Sequence, residues 1–160
     1  MAKNRASKQA KATIQPQVGG GERTPKAAVR PYAELGVARP IFSFQYADRT
    51  YVGKWPWPTG DESGELLEFL CEIGRLTWNE IRAQTTGGRD RHRKHHEMGF
   101  DSVCREAGER ISLLGHDEVF EELFRFRLAG RKRLWGYING PVFYVLWWDA
   151  AHAVYPTDRD

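Results

Sequence analysis

The residues best suited to chemistry lie in the run Arg91-His92-Arg93-Lys94-His95-His96. Cleavage of RNA through its own 2′-hydroxyl needs a base for that hydroxyl, cations for the charge that develops at phosphorus, and an acid for the leaving oxygen. Histidine titrates near neutrality while arginine and lysine stay charged, so His95 and His96 with Arg91, Arg93 and Lys94 could supply all three roles. The same run also reads as a solvated basic loop. A zinc site from His92, His96 and Cys104 is set aside, because no convincing fourth ligand and no CxxC pair accompanies them. No metal or other cofactor is expected.

A second constellation follows the longest apolar run. Asp149 stands three residues before His152, with Tyr155 close behind. An aspartate can fix the tautomer of a nearby histidine and stabilise its protonated form, which is how general bases are commonly oriented. Alternatively, His152 ends a strand and Asp149 starts a turn. A third group is Arg125, Arg127, Arg131, Lys132 and Arg133, on two segments with strand-like alternation. Arg125, Arg127 and, by register, Arg133 would share a sheet face, where Trp135 and Tyr137 would suit base stacking beside phosphate contacts. Pairing with Glu118, Glu121 and Glu122 as a salt-bridged surface is the competing reading. No P-loop, GxGxxG, HExxH or GxSxG pattern is present, so nucleotide-dependent transfer and serine hydrolysis have no support.

The elements that would position these residues are legible in outline. Ile41 to Tyr46 suggest a strand, with a second through Tyr51, Val52 and Trp55. Asp61 or Ser63 would cap a helix whose Leu66, Leu67, Leu70 and Ile73 lie on one face. Thr77-Trp78-Asn79-Glu80 has the capping-box pattern, which predicts a short helix to about Gln84. Thr85 to Lys94 reads as an exposed loop. Asp101 or Ser102 would open a third helix, with Val103, Ala107, Ile111 and Leu114 inward. Phe124, Phe126 and Leu128 alternate with Arg125 and Arg127, as in a half-exposed strand. Asn139-Gly140 predicts a type I′ hairpin turn. Val142 to Trp148 is continuously apolar and suits a strand covered on both faces. The expected class is α+β: a small antiparallel sheet ending in a three-stranded meander, with helices packed on one face.

The charge divides the 160-residue chain. Residues 1–30 hold Lys3, Arg5, Lys8, Lys11, Arg23, Lys26 and Arg30 against the single acid Glu22, and no aromatic residue precedes Tyr32. Residues 1–38 therefore read as a flexible basic tail and 39–160 as a single α+β domain. Beyond residue 30 the acids outnumber the bases, so bulk charge does not identify a nucleic-acid partner. The longest apolar run, Pro141 to Trp148, is far short of the roughly 18 residues that span a membrane. Two cysteines make no disulfide framework, so a reducing, cytoplasmic setting is the expectation.

The stretch LFRFRLAGRKRLWGYINGPVFYVLWWDAAHAVYP resembles the closing meander of RelE/ParE-like toxins. In the RelE branch, a strand with exposed arginines, a turn, an Arg-Leu/Ile-apolar-Tyr strand and a long apolar strand precede a late His or Tyr. Arg125, Arg127, Arg133, His152 and Tyr155 stand at the matching positions. The resemblance covers residues 122–156 and implies a toxin-like, metal-independent endoribonuclease with RNA as substrate and an acidic or amphipathic antitoxin as protein partner. Arg133, His152 and Tyr155, joined by His95 and His96, are then the catalytic candidates. Arg125, Arg127, Arg131, Lys132, Arg91, Arg93 and Lys94 are the nucleic-acid contacts. The chain departs from the family in length, in its net negative domain, and in the WWDAAH and His-rich segments. A non-catalytic protein- or nucleic-acid-binding module, associated with a phage or mobile element, is the alternative. The oligomeric state is not legible.

Overall fold

The computed structural model describes residues 36–156. The basic tail up to residue 35 and the last four residues of the expected domain lie outside them. Five strands form one mixed sheet: β1 (Ile41–Ser43), β2 (His96–Gly99), β3 (Glu122–Arg127), β4 (Arg133–Asn139) and β5 (Val142–Asp149). Their spatial order is β1-β5-β4-β3-β2, with β2 to β5 antiparallel and β1 parallel to β5. The α+β class and the closing meander are as expected.

The first hairpin is not. Residues 51–55 form no strand, and β1 pairs instead with β5, Ile41 opposite Val142. Pro56 and Pro58 lack the amides of a ladder, and the fully buried Trp55 packs beneath the sheet. The meander turn also differs in detail. Asn139 pairs with Val142, so the two-residue loop is Gly140-Pro141. Positive φ falls on Gly140 alone (60°), the pattern of a type II′ rather than a type I′ turn.

Helix α1 (Asp61–Ile73) starts after Gly60, without a side-chain cap from Asp61 or Ser63. Asp61 and Glu62 instead sit in its first turn, where acidic groups favour the exposed amides. Helix α2 (Trp78–Ala83) has the expected capping box: Glu80 N–H donates to Thr77 Oγ1 (3.3 Å) and Thr77 N–H to Glu80 Oε2 (2.7 Å). Helix α3 (Arg105–Leu113) begins later than expected, after a 3₁₀ turn at Phe100–Ser102. The Cys104 amide is already committed to the Val154 carbonyl (2.8 Å).

Both faces of the sheet are buried. On one, Phe124, Phe126, Leu134, Phe143, Val145 and Trp148 meet Leu66, Leu70 and Ile73 of α1 and Trp78 and Ile81 of α2. On the other, Leu123, Trp135, Tyr137, Leu146 and Trp147 meet Ala107 and Ile111 of α3, with Trp55 and Val154. The expected one-face packing describes α1 and α2, while α3 joins the second core. Each fully buried large side chain contributes roughly 1.5–3 kcal/mol, which explains the unbroken apolar run of β5. Among the described residues no helix is long and apolar enough to cross a membrane.

Candidate functional site

Register decides which arginines meet. Arg127 lies opposite Arg133, and Arg133 opposite Asp149; Arg125 lies opposite Trp135 on one side and His96 on the other. Because side chains alternate along a strand, Arg125, Arg127 and Arg133 all project from the face that carries Trp135, away from α1 and α2. Neighbouring strands are about 4.8 Å apart, so three positive charges crowd a small area.

Arg133 is buried, and its Nη1 donates to the carbonyls of Gly130 (2.9 Å) and Lys132 (2.8 Å). The Arg125 guanidinium lies between two rings, 5.9 Å from Trp135 and 5.8 Å from Tyr155. The Nε atoms of both arginines are buried without a hydrogen-bond partner. Burial, then repulsion from Arg125 and Arg127, pulls Arg133 down to about 10. Burial and Arg127 also lower Arg125. Both remain cationic at neutral pH, in a place where an anion would relieve their repulsion.

The segment after β5 folds back onto this face. Asp149 Oδ1 accepts the Ala153 amide (2.8 Å), and Oδ2 accepts the Val154 amide (3.0 Å) and the Trp135 indole N–H (3.3 Å). Of the two readings of Asp149, the turn former rather than the partner of the His152 ring is the one found: its oxygens hold backbone, where the chain turns sharply at residues 150–153. Inside that turn His152 has a φ of 63°, unusual for a side chain of its size. Its Nε2 is buried and unpartnered, and its ring stands edge-on to Tyr155 at 6.2 Å. Burial first, then Arg133 and Arg125, lowers its pKa to about 4. His152 is thus a neutral imidazole beside three cations at neutral pH.

The histidine doublet splits across the sheet. His96 lies beside Arg125 and is lowered by burial and then by that charge. His95 turns to the opposite face, edge-on to Phe126 (5.0 Å). Its Nδ1 accepts the Arg127 amide (3.1 Å), and its Nε2–H donates to Gln84 Oε1 (3.1 Å). Burial, reinforced by Lys94, His96 and Arg125, holds it at about 3. With both nitrogens committed, His95 ties the loop to β3 and has no free position for proton transfer.

The remaining candidates are spread more widely. Arg91 and Arg93 are exposed and Lys94 is half-buried, on an arm pinned by Lys94 N–H to Gln84 O (2.9 Å) and Thr86 N–H to His92 O (2.8 Å). The arm leads directly into His96. Arg131 is exposed in the β3–β4 turn, whereas Lys132 pairs with Glu65 of α1. Trp135 and Tyr137 are fully buried, which corrects the expectation that they stack on bases. Among the described residues no three His, Cys, Asp or Glu side chains gather closely enough to hold a metal. A cleft of about 690 Å³ lined by Tyr46, Asp48, Trp57 and His116 shares no residue with the arginine face. Its buried Asp48 is already engaged by Arg110 and Trp147, and His116 by Tyr137.

Sequence reasoning missed the tie from Asp149 to the Trp135 indole and the strand position of His96. The short side chains of Ala150 and Ala151, which permit a tight turn, were the available signal. No family model matches the chain, and neither does any curated protein or solved structure that it was compared with.

Proposed function

We propose that the arginine face binds the phosphodiester backbone of RNA and that the protein is a toxin-like endoribonuclease. As RNA binds, the buried His152 Nε2 is uncovered and takes the proton of the 2′-hydroxyl, whose oxygen attacks the adjacent phosphorus. Arg125, Arg127 and Arg133 stabilise the charge that builds on the phosphoryl oxygens. The 5′-oxygen leaves with a proton from Tyr155, whose ring stands beside His152 and Arg125, and the other product carries a 2′,3′-cyclic phosphate. The observation that carries this reading is the convergence of three arginines of one sheet face on a neutral histidine whose Nε2 is unpartnered. A silencing partner would present carboxylates to the same face, as the resemblance to RelE-like toxins implies.

The informative variant is His152→Asn, because asparagine tolerates left-handed backbone better than most residues. Its melting temperature should stay close to wild type while cleavage of an end-labelled RNA falls about 100-fold or more, the usual scale for a lost general base. Arg127→Ala, at an exposed position, should weaken RNA binding with little effect on folding. Full cleavage by His152→Asn would remove the assigned base. A wild type that binds RNA and leaves it intact would instead be a non-catalytic binding module.

A further inference from the structure

We propose that Asp149 is the positioning residue of this site, clamping residues 150–155 over the arginine face so that His152 and Tyr155 stand beside Arg125 and Arg133. The link to catalysis rests on the ribonuclease reading; the clamp itself rests on geometry. Asp149 is fully buried and lies in register with Arg133. Its side chain nevertheless spends both oxygens on the Ala153 and Val154 amides and the Trp135 indole. These three donors come from two separate parts of the chain. The clamp therefore anchors the returning segment to β4 and holds His152 in its left-handed turn.

An aspartate is required by the donor count. Both carboxylate oxygens face N–H groups, and an asparagine would present one acceptor and an NH₂ that opposes one of them. A buried donor left unpaired bears its full desolvation penalty, enough to release a short surface-facing turn. The groups facing His152 are Arg125, Arg127, Arg133, Asp149 and the Tyr155 ring. They give two roles for Asp149 opposite signatures. If Asp149 acted only through its charge, which favours protonated His152, its removal would lower the histidine pKa further. If it positions the turn, its loss exposes His152 and the pKa rises, because burial is the main cause of its depression.

The test is Asp149→Asn in the full chain, with His152 followed by proton NMR from pH 3 to 8. The expected result is a rise from about 4 towards 6.5, with RNA cleavage reduced at least tenfold. A pKa that stays or falls overturns the proposal. Should the variant not fold, amide hydrogen exchange in the wild type decides. The Ala153 and Val154 amides should exchange at least 100-fold more slowly than that of Ala151, and equal rates would overturn the clamp. The histidine titration and the amide exchange do not use RNA, so a wild type inert towards RNA would remove the ribonuclease reading and leave the clamp standing.

Discussion

A histidine with both ring nitrogens hydrogen-bonded in a dry core resists protonation, and His95 ties its own stability to pH in this way. Its folded pKa of about 3 lies below the ordinary 6.5, so the unfolded chain takes up the proton first as pH falls. The stability present above pH 6.5 is therefore lost progressively down to about pH 3, at about 1.4 kcal/mol per pH unit through the middle of that window. Between pH 7 and pH 5 His95 should account for about 2 kcal/mol of lost stability. In urea unfolding at the two pH values, His95→Gln should show a drop smaller by that amount, although its stability at pH 7 is lower. Equal drops in both proteins would mean that His95 is not the group responsible. His152 is lowered in the same direction, but its Nε2 has no hydrogen-bond partner. Composition alone could not tell these histidines apart, because their roles follow from the sheet face on which each lands.

At the scale of elements, what was legible depended on whether the signal was local. The Thr77–Glu80 capping box and the alternation through β3 are written in neighbouring residues, and both stand in the structure. Strand β2, His-Glu-Met-Gly, carries no alternating apolar pattern; pairing with β3 imposes it. The parallel partner of β1 lies far along the chain and was equally invisible. The site was half legible for the same reason. The Arg125, Arg127 and Arg133 face follows from strand alternation, whereas the return of His152 depends on Asp149 reaching amides across a turn. Gly136 gives this level its test. The ladder is irregular between Trp135 and Gly136, and a Cβ at Gly136 would lie 2.1 Å from the Tyr144 carbonyl oxygen. Gly136→Ala should cost about 3 kcal/mol or more, since backbone on the next strand cannot yield as a side chain would. Thermal melting checks this, and a near-native midpoint would mean that the two strands lie further apart.

Across the whole molecule, the net charge says little and its placement says more. The arm with Arg91, Arg93 and Lys94 runs into His96, which lies opposite Arg125, so arm and arginine face adjoin. If one RNA strand crosses both, each group contributes its own counterion release. Replacing Arg125, Arg127 and Arg133 together by Gln should lower the slope of log affinity against log salt by about 2, at roughly 0.7 per phosphate contact on a single strand. The arm triple variant should do the same. An unchanged slope in the arm variant would confine the RNA to the sheet. The pairing of β1 with β5 also acts in time. Ile41 must wait for Val142, and at roughly 5–20 residues per second a ribosome takes about 5–20 s to deliver it. Until then β4 lacks one neighbour, and Asp149 has not yet emerged to close the turn. A nascent chain therefore carries its arginines for seconds before it carries a site, and the activity proposed for the folded protein begins only after β5 has been laid between β1 and β4.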